Sequence, residues 1–81
     1  MNIEKMQFQG QLAELKKKFR TLDTEASGLV ILIRSLVNPY EEDLTKLETE
    51  KAQASMTRLN SIVTELKTLK SKIEKMEETI D

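Results

Sequence analysis

Cysteine, histidine and tryptophan are all absent from this 81-residue chain. Without cysteine there can be no disulfide and no thiol nucleophile, and without cysteine and histidine there can be no zinc site of the usual kind. Acid–base and triad mechanisms that depend on histidine are excluded for the same reason. We therefore expect a protein that is not an enzyme and that holds no metal or other cofactor.

A long hydrophobic run is also lacking. The longest apolar run, Leu29–Ile33, stops at Arg34, whereas a helix that crosses a bilayer needs roughly 20 apolar residues. Residues Met1–Lys5 show no basic stretch followed by an apolar one, so no secretory signal is expected. With 13 basic and 14 acidic residues the net charge is −1, which predicts no general attraction to nucleic acid or acidic membranes. These features favour a soluble, cytoplasmic protein without a membrane partner.

Glycine and proline are scarce, with two and one residues respectively, and 33% of the chain is charged. This composition favours long, uninterrupted helices. Apolar residues recur at alternating spacings of four and three, which places them on one narrow face of a helix and is typical of a coiled coil. The first ladder of such residues is Phe8, Leu12, Leu15, Phe19, Leu22, Ala26, Leu29, Ile33 and Leu36. The second is Leu59, Ile62, Leu66, Leu69, Ile73, Met76 and Ile80.

The single proline separates the two ladders and predicts the turn of an all-α helical hairpin. Pro39 disfavours helical geometry at Asn38, so the first helix should end just before it. A second helix could restart with Asn38 as its N-cap, which gives a kinked rod, or at the capping box Thr45–Glu48, which leaves room for a turn. The hairpin is favoured. We expect one domain with a helix over about 3–36, a turn over about 37–43 and a helix over about 44–80.

Opposite charges support an antiparallel alignment of the two helices. If Phe19 faces Ile62 across the seam between the ladders, the flanking heptad positions bring oppositely charged residues together. The two pairs are Lys18 with Glu65 and Glu25 with Arg58. Exposed ion pairs add little stability, so these pairs select the alignment more than they stabilise it.

The predicted second helix contains a phase defect. Leu44 and Leu47 fall one position out of step with Leu59 and the rest of the second ladder. Such a shift predicts a local adjustment of the supercoil near residues 48–51.

A second apolar stripe runs beside the seam and is the candidate interface. Its residues occupy heptad position e on both helices, together with one f and one g position on the first helix. They are Val30, Ile31, Leu32, Val37, Met56 and Val63, which together are called the apolar patch. A lone hairpin would expose this surface, and large exposed apolar patches usually mark interfaces. We expect a homo-oligomer, with two hairpins forming a dimeric four-helix bundle, and a different protein partner is the alternative.

The densest basic cluster consists of Lys16, Lys17, Lys18 and Arg20. These side chains could contact the phosphates of a nucleic acid. All four lie outside the seam, where coiled coils carry solvated charge, and Phe19 between them faces the seam. The pattern therefore favours a solvated face, and nucleic-acid contact is the weaker hypothesis.

The turn carries an acidic triplet, Glu41, Glu42 and Asp43, next to the only tyrosine, Tyr40. The triplet lacks the alternating oxygen ligands and the glycine of a calcium loop, so stabilisation of a helix start by acidic residues is the preferred explanation. Tyr40 is expected to dock onto the apolar end of the hairpin.

The length and the helix–turn–helix plan are similar to those of type III secretion needle subunits and of small secreted hairpins with a Trp-x-Gly turn. The turn Asn38-Pro39-Tyr40-Glu41 differs from the Pro-Ser-Asp-Pro turn of the needle family, and the chain has no tryptophan, so no residue role is carried over. We expect a non-enzymatic structural or protein-interaction module. The alternatives are a small nucleic-acid-associated regulator and a phage, prophage or secretion-related accessory protein.

Overall fold

Two long helices make up nearly all of the protein. The computed structural model describes residues 3–80 and the side chains of residues 3–79, so the ladder position Ile80 lies outside the described side chains. Helix α1 spans Ile3–Leu36, a short 3-10 helix spans Leu44–Lys46, and helix α2 spans Thr49–Ile80. Residues 3–80 contain no strand. The all-α class is confirmed, and the molecule measures 66 × 18 × 15 Å.

The helices pack along the seam that the two ladders predict. Ile62 is only 1% exposed, and every described ladder residue is buried or half-buried. The residues buried most completely are Leu12, Ala26, Ala52, Ile62 and Leu69. All are apolar, and no buried side-chain polar atom among the described residues lacks a hydrogen-bond partner. Apolar burial along one line therefore holds the hairpin together.

Both predicted ion pairs form between the helices. Lys18 Nζ lies 3.0 Å from Glu65 Oε1, and Arg58 Nε lies 2.7 Å from Glu25 Oε2. A second Arg58 nitrogen, Nη2, donates to Glu25 Oε1 at 3.1 Å, so this contact is bidentate. Glu25 comes later in α1 than Lys18, but its partner Arg58 comes earlier in α2 than Glu65. The helices are therefore antiparallel, in the alignment that the charges predict.

Helix α1 ends where Pro39 requires it to end. Its last backbone hydrogen bond is donated by Val37 N to Ile33 O at 3.0 Å. Asn38 Oδ1 then accepts a hydrogen bond from Tyr40 N at 2.9 Å, and Glu41 N donates to Asn38 O at 3.2 Å. Asn38 thus caps a single isolated turn and no helix grows from it, which excludes the kinked rod.

Helix α2 begins at Thr49, and the prediction of a start near residue 44 is wrong. Asp43 caps the short 3-10 helix, because its Oδ1 accepts from Thr45 N at 3.1 Å and from Thr45 Oγ1 at 2.6 Å. Leu47 follows in an extended conformation, with φ −68° and ψ 133°, and breaks the helical path. The first bond of α2 is donated by Ala52 N to Glu48 O at 3.0 Å. The predicted capping box therefore does not start α2. The hydroxyl of Thr45 donates to Asp43, and Glu48 is the N-cap of α2 rather than its third residue.

The same break explains the phase defect in the second ladder. Leu47 is half-buried beneath the turn and Leu44 is 71% exposed, and neither belongs to α2. Glu48 N donates to Leu36 O at 3.4 Å, which ties the start of α2 to the end of α1. The expected supercoil adjustment over residues 48–51 is therefore wrong, since these leucines belong to the turn and the heptad of α2 begins after them.

Replacing Ile62 with alanine tests the seam. We expect Ile62→Ala to lower the free energy of unfolding by about 2–4 kcal/mol, because it leaves a cavity at the most completely buried position. The matched control is Gln53→Ala, an exposed position of the same helix, which should change stability by less than about 0.5 kcal/mol. Urea unfolding followed by circular dichroism measures both, and equal effects would contradict the described seam.

Candidate interaction surface

The antiparallel helices leave a groove on each side of the seam. The first groove is bordered on both helices by residues spaced seven apart, and Lys16 Nζ and Glu77 Oε1 are 3.9 Å apart across it. Its borders are Lys16, Asp23, Val30 and Val37 on α1 and Met56, Val63, Lys70 and Glu77 on α2. The second groove contains the Lys18–Glu65 and Glu25–Arg58 pairs. The first groove is thus charged toward the chain termini and apolar toward the turn.

The structure places most of the apolar patch in solvent. The exposed fractions of its members are 46% for Val30, 69% for Ile31, 44% for Leu32, 39% for Val37 and 49% for Met56. Val63 is half-buried beside the seam and contributes less open surface. Ile31 lies on the outer side of α1, and Leu32, seven residues after Glu25, borders the second groove, so the patch continues from the first groove around the last turns of that helix.

Tyr40 does not dock onto the end of the hairpin, so that expectation is wrong. Its side chain is 89% exposed, because the Asn38 turn carries it past the end of α1 and nothing in the described chain covers it. Ile31, Val37 and Tyr40 border one open hollow of about 490 Å³. No spacing rule in the sequence predicts this position, although a tyrosine between a proline and three acidic residues has few apolar neighbours to dock on.

Tyr40 and Leu44 extend the apolar surface beyond the patch that the sequence predicts. Leu44 is displaced from the seam by the 3-10 helix and is left in solvent. At the opposite end of α1, Ile3 and Met6 are also more than half exposed. The group near the turn has more exposed apolar members, and Ile31, Val37 and Tyr40 border one hollow, so it is the stronger candidate for an interface.

The basic cluster Lys16, Lys17, Lys18 and Arg20 is fully on the surface. Lys18 and Lys16 already face carboxylates of α2, in the pairs described above. Phe19 is half-buried and, with Ile73, lines an open hollow of about 430 Å³ in the first groove. The rim of this hollow carries Lys16, Arg20 and Lys70, with Glu74 and Glu77 at its end nearer the termini.

The acidic triplet of the turn forms local hydrogen bonds. Glu41 Oε1 accepts from Asp43 N at 3.1 Å, and the two hydrogen bonds from Thr45 hold the pKa of Asp43 below its ordinary value. Within residues 3–80 no group of three or more carboxylates is arranged to hold a metal ion. Neither described helix has a stretch apolar and long enough to cross a membrane.

The contact between Glu25 and Arg58 shifts the pKa of both groups. The hydrogen bond from Arg58, followed by its positive charge, lowers the pKa of Glu25 below the ordinary 4.5, and the same contact raises the pKa of Arg58. A carboxylate with a lowered folded-state pKa stabilises the fold above its unfolded pKa and loses that contribution as the pH falls through the folded value. This contact therefore supports the alignment at neutral pH and weakens in acid.

Replacing Arg58 with methionine tests this contact. We expect Arg58→Met to raise the pKa of Glu25 toward 4.5, because both the hydrogen bonds and the nearby charge are lost. Carbon-detected NMR titration of the Glu25 carboxyl group gives the value directly. Arg20→Met is the control, since Arg20 borders the first groove and should leave the Glu25 titration unchanged. An unshifted Glu25 in Arg58→Met would show that the helices are aligned differently in solution.

Comparison of the chain with protein-family models, with curated proteins and with solved structures found no match.

Proposed function

We propose that this protein is a non-enzymatic structural or interaction module that self-associates through its apolar patch, with a dimeric four-helix bundle as the favoured assembly. The observation that supports the proposal is the group of exposed apolar side chains near the turn. It includes five residues of the patch together with Tyr40 and Leu44. Over residues 29–36, α1 is apolar on nearly every side, which is typical of a helix that is covered on more than one face.

A patch of ordinary size could support association. The largest apolar patch of a typical monomer covers about 300–600 Å². At roughly 25 cal/mol per Å², hiding about 300 Å² on each of two copies would contribute roughly 15 kcal/mol. The loss of translational and rotational freedom on association costs about 4–15 kcal/mol. The two quantities are comparable, so a dimer becomes stable once packing and charge add to the apolar contribution.

A second hairpin is favoured as the occupant because it would complete a familiar arrangement. Two antiparallel hairpins joined at their apolar edges form a four-helix bundle, in which each helix buries two faces. A different protein with a complementary apolar surface is the alternative occupant of the same patch. The oligomeric state of the purified chain separates the two.

Charging the patch tests self-association. We expect the native chain to have twice the 9.3 kDa chain mass and the variant Val30→Lys, Met56→Lys to have the single-chain mass, because four buried lysines in a dimer would be desolvated without partners. Light scattering coupled to size-exclusion chromatography measures the masses. Val63 is left intact because it is half-buried in the hairpin itself.

The control adds the same charge elsewhere. Gln9→Lys, Gln53→Lys changes two exposed residues outside the patch and should keep the native mass. Circular dichroism must show that all three proteins are equally helical. A native chain that stays monomeric at every concentration, or a patch variant that keeps the native mass, would contradict the proposal.

A further inference from the structure

We propose that the two copies pack antiparallel about a two-fold axis beside Val30 and Met56, so that the acidic turn of each copy lies on the basic part of the other copy's first groove. Tyr40 of one copy then occupies the hollow lined by Phe19 and Ile73 of the other. This arrangement rests on the self-association proposed above and specifies its geometry. Three independent properties of the hairpin agree with it: the spacing of the features along the molecule, the distribution of charge, and the area available.

The spacing along α1 places the features symmetrically. The hollow is bordered by Lys16 and Arg20, which precede Val30 by 10–14 residues, or about 15–21 Å at the helical rise. On the other side of Val30, α1 continues to Leu36 and the turn extends past it. The midpoint between hollow and turn therefore falls close to Val30. A two-fold axis at this point pairs the apolar stripes with each other and superposes each turn on the partner's hollow, as an isologous interface requires.

The charges of the two regions are complementary. Residues 38–50 contain five acidic side chains and one lysine, whereas residues 16–20 and 67–72 together contain seven basic side chains and no acidic one. These last two segments lie side by side, because Lys16, Arg20 and Lys70 border one hollow and Lys18 and Lys72 border another on the opposite side. The overall charge of −1 hides this separation. Opposite fields at the two ends of an interface set the orientation of the partners.

A parallel arrangement of the same apolar stripes is disfavoured by these charges. It would bring Lys16 and Lys70 of each copy opposite the same residues of the other copy, and it would bring the two acidic turns together. Like charges across an interface are destabilising, and this cost works against the wrong register. The antiparallel arrangement converts both repulsions into attractions while keeping the same apolar contact.

Tyr40 has the properties of a side chain that inserts into a partner. It is the most exposed large apolar residue of the described chain, and its backbone is held by the hydrogen bond to Asn38. The hollow opposite it has a floor formed by Phe19 and Ile73. Its rim carries the cationic groups of Lys16, Arg20 and Lys70, with Glu74 and Glu77 at the end nearer the termini. An aromatic ring on an apolar floor beside lysine and arginine gains both apolar burial and cation–π attraction.

The overlap gives an interface of ordinary size. If each turn reaches the partner's hollow, the copies overlap over roughly 36 Å, and the hairpin is 18 Å wide. The covered face is therefore about 650 Å² on each copy, or about 1,300 Å² in total, which lies within the range of specific protein–protein interfaces.

Chemical cross-linking tests this register, and the absence of native cysteine makes each introduced thiol unique. The test protein is Glu42→Cys, Lys70→Cys, treated with a short bismaleimide. Within one hairpin the two positions lie roughly 36 Å apart along the axis, so the reagent can join them only between copies. We expect covalent dimer from this variant and little from either single variant. In the complex the local thiol concentration is millimolar, which should accelerate linkage on the order of 100-fold over collision at 10 µM.

The matched control is Glu42→Cys, Lys72→Cys. Lys72 lies at the level of Lys70 along α2 but borders the second groove, so this variant should link poorly. Equal linkage in the two double variants, or linkage of Glu42→Cys to itself, would overturn the antiparallel register. If the masses still show a dimer, self-association stands and only the register is wrong. If the chain is monomeric and Lys16–Arg20 binds DNA in a salt-dependent gel shift, both proposals are wrong and the basic cluster serves nucleic acid.

Discussion

The apolar seam between α1 and α2 is the interaction on which the rest of this structure depends. A two-helix hairpin has only one internal contact, so burial is complete at only a few positions and partial at the others. Ile62 and Leu69 mark the deepest part of that contact. Within residues 3–80 no third α-helix covers the outer faces. Further apolar residues of a single hairpin therefore stay in solvent, and the exposure of Val30 and Ile31 follows directly from this shape.

The turn makes one end of the hairpin different from the end that carries the chain termini. Pro39 stops α1, and Asp43 diverts the chain into a short 3-10 helix before α2 can begin. The intervening segment is therefore long enough to carry Tyr40 and its acidic neighbours beyond the packed helices. The basic cluster around Lys16–Arg20 lies part of the way along α1, away from the acidic turn. This separation along one axis gives the hairpin an orientation that a partner can recognise.

The proposed assembly uses each surface feature for one purpose. The apolar patch provides the association energy, the two charged regions select the orientation, and Tyr40 gives the contact a defined position. In this interpretation the basic cluster needs no nucleic acid, because an acidic turn of a second copy satisfies the same charges. The ion pairs inside the hairpin, such as Glu25–Arg58, act in the same way at shorter range by selecting the alignment of the helices.

Local periodicity and charge spacing determined the larger part of this structure from the sequence alone. The two ladders, the stop at Pro39 and the pairing of Lys18 with Glu65 all depend on regular helix geometry, which short-range spacing encodes. The start of α2 at Thr49 and the exposure of Tyr40 were decided only in the folded chain. The side chains of Asn38 and Asp43 accept backbone hydrogen bonds that compete with continuation of a helix. Which of these hydrogen bonds form depends on how the turn closes against Leu36. The different burial of Val30 and Val63, which occupy the same heptad position, was also a tertiary outcome, because it depends on the side chains that the facing helix presents at each level.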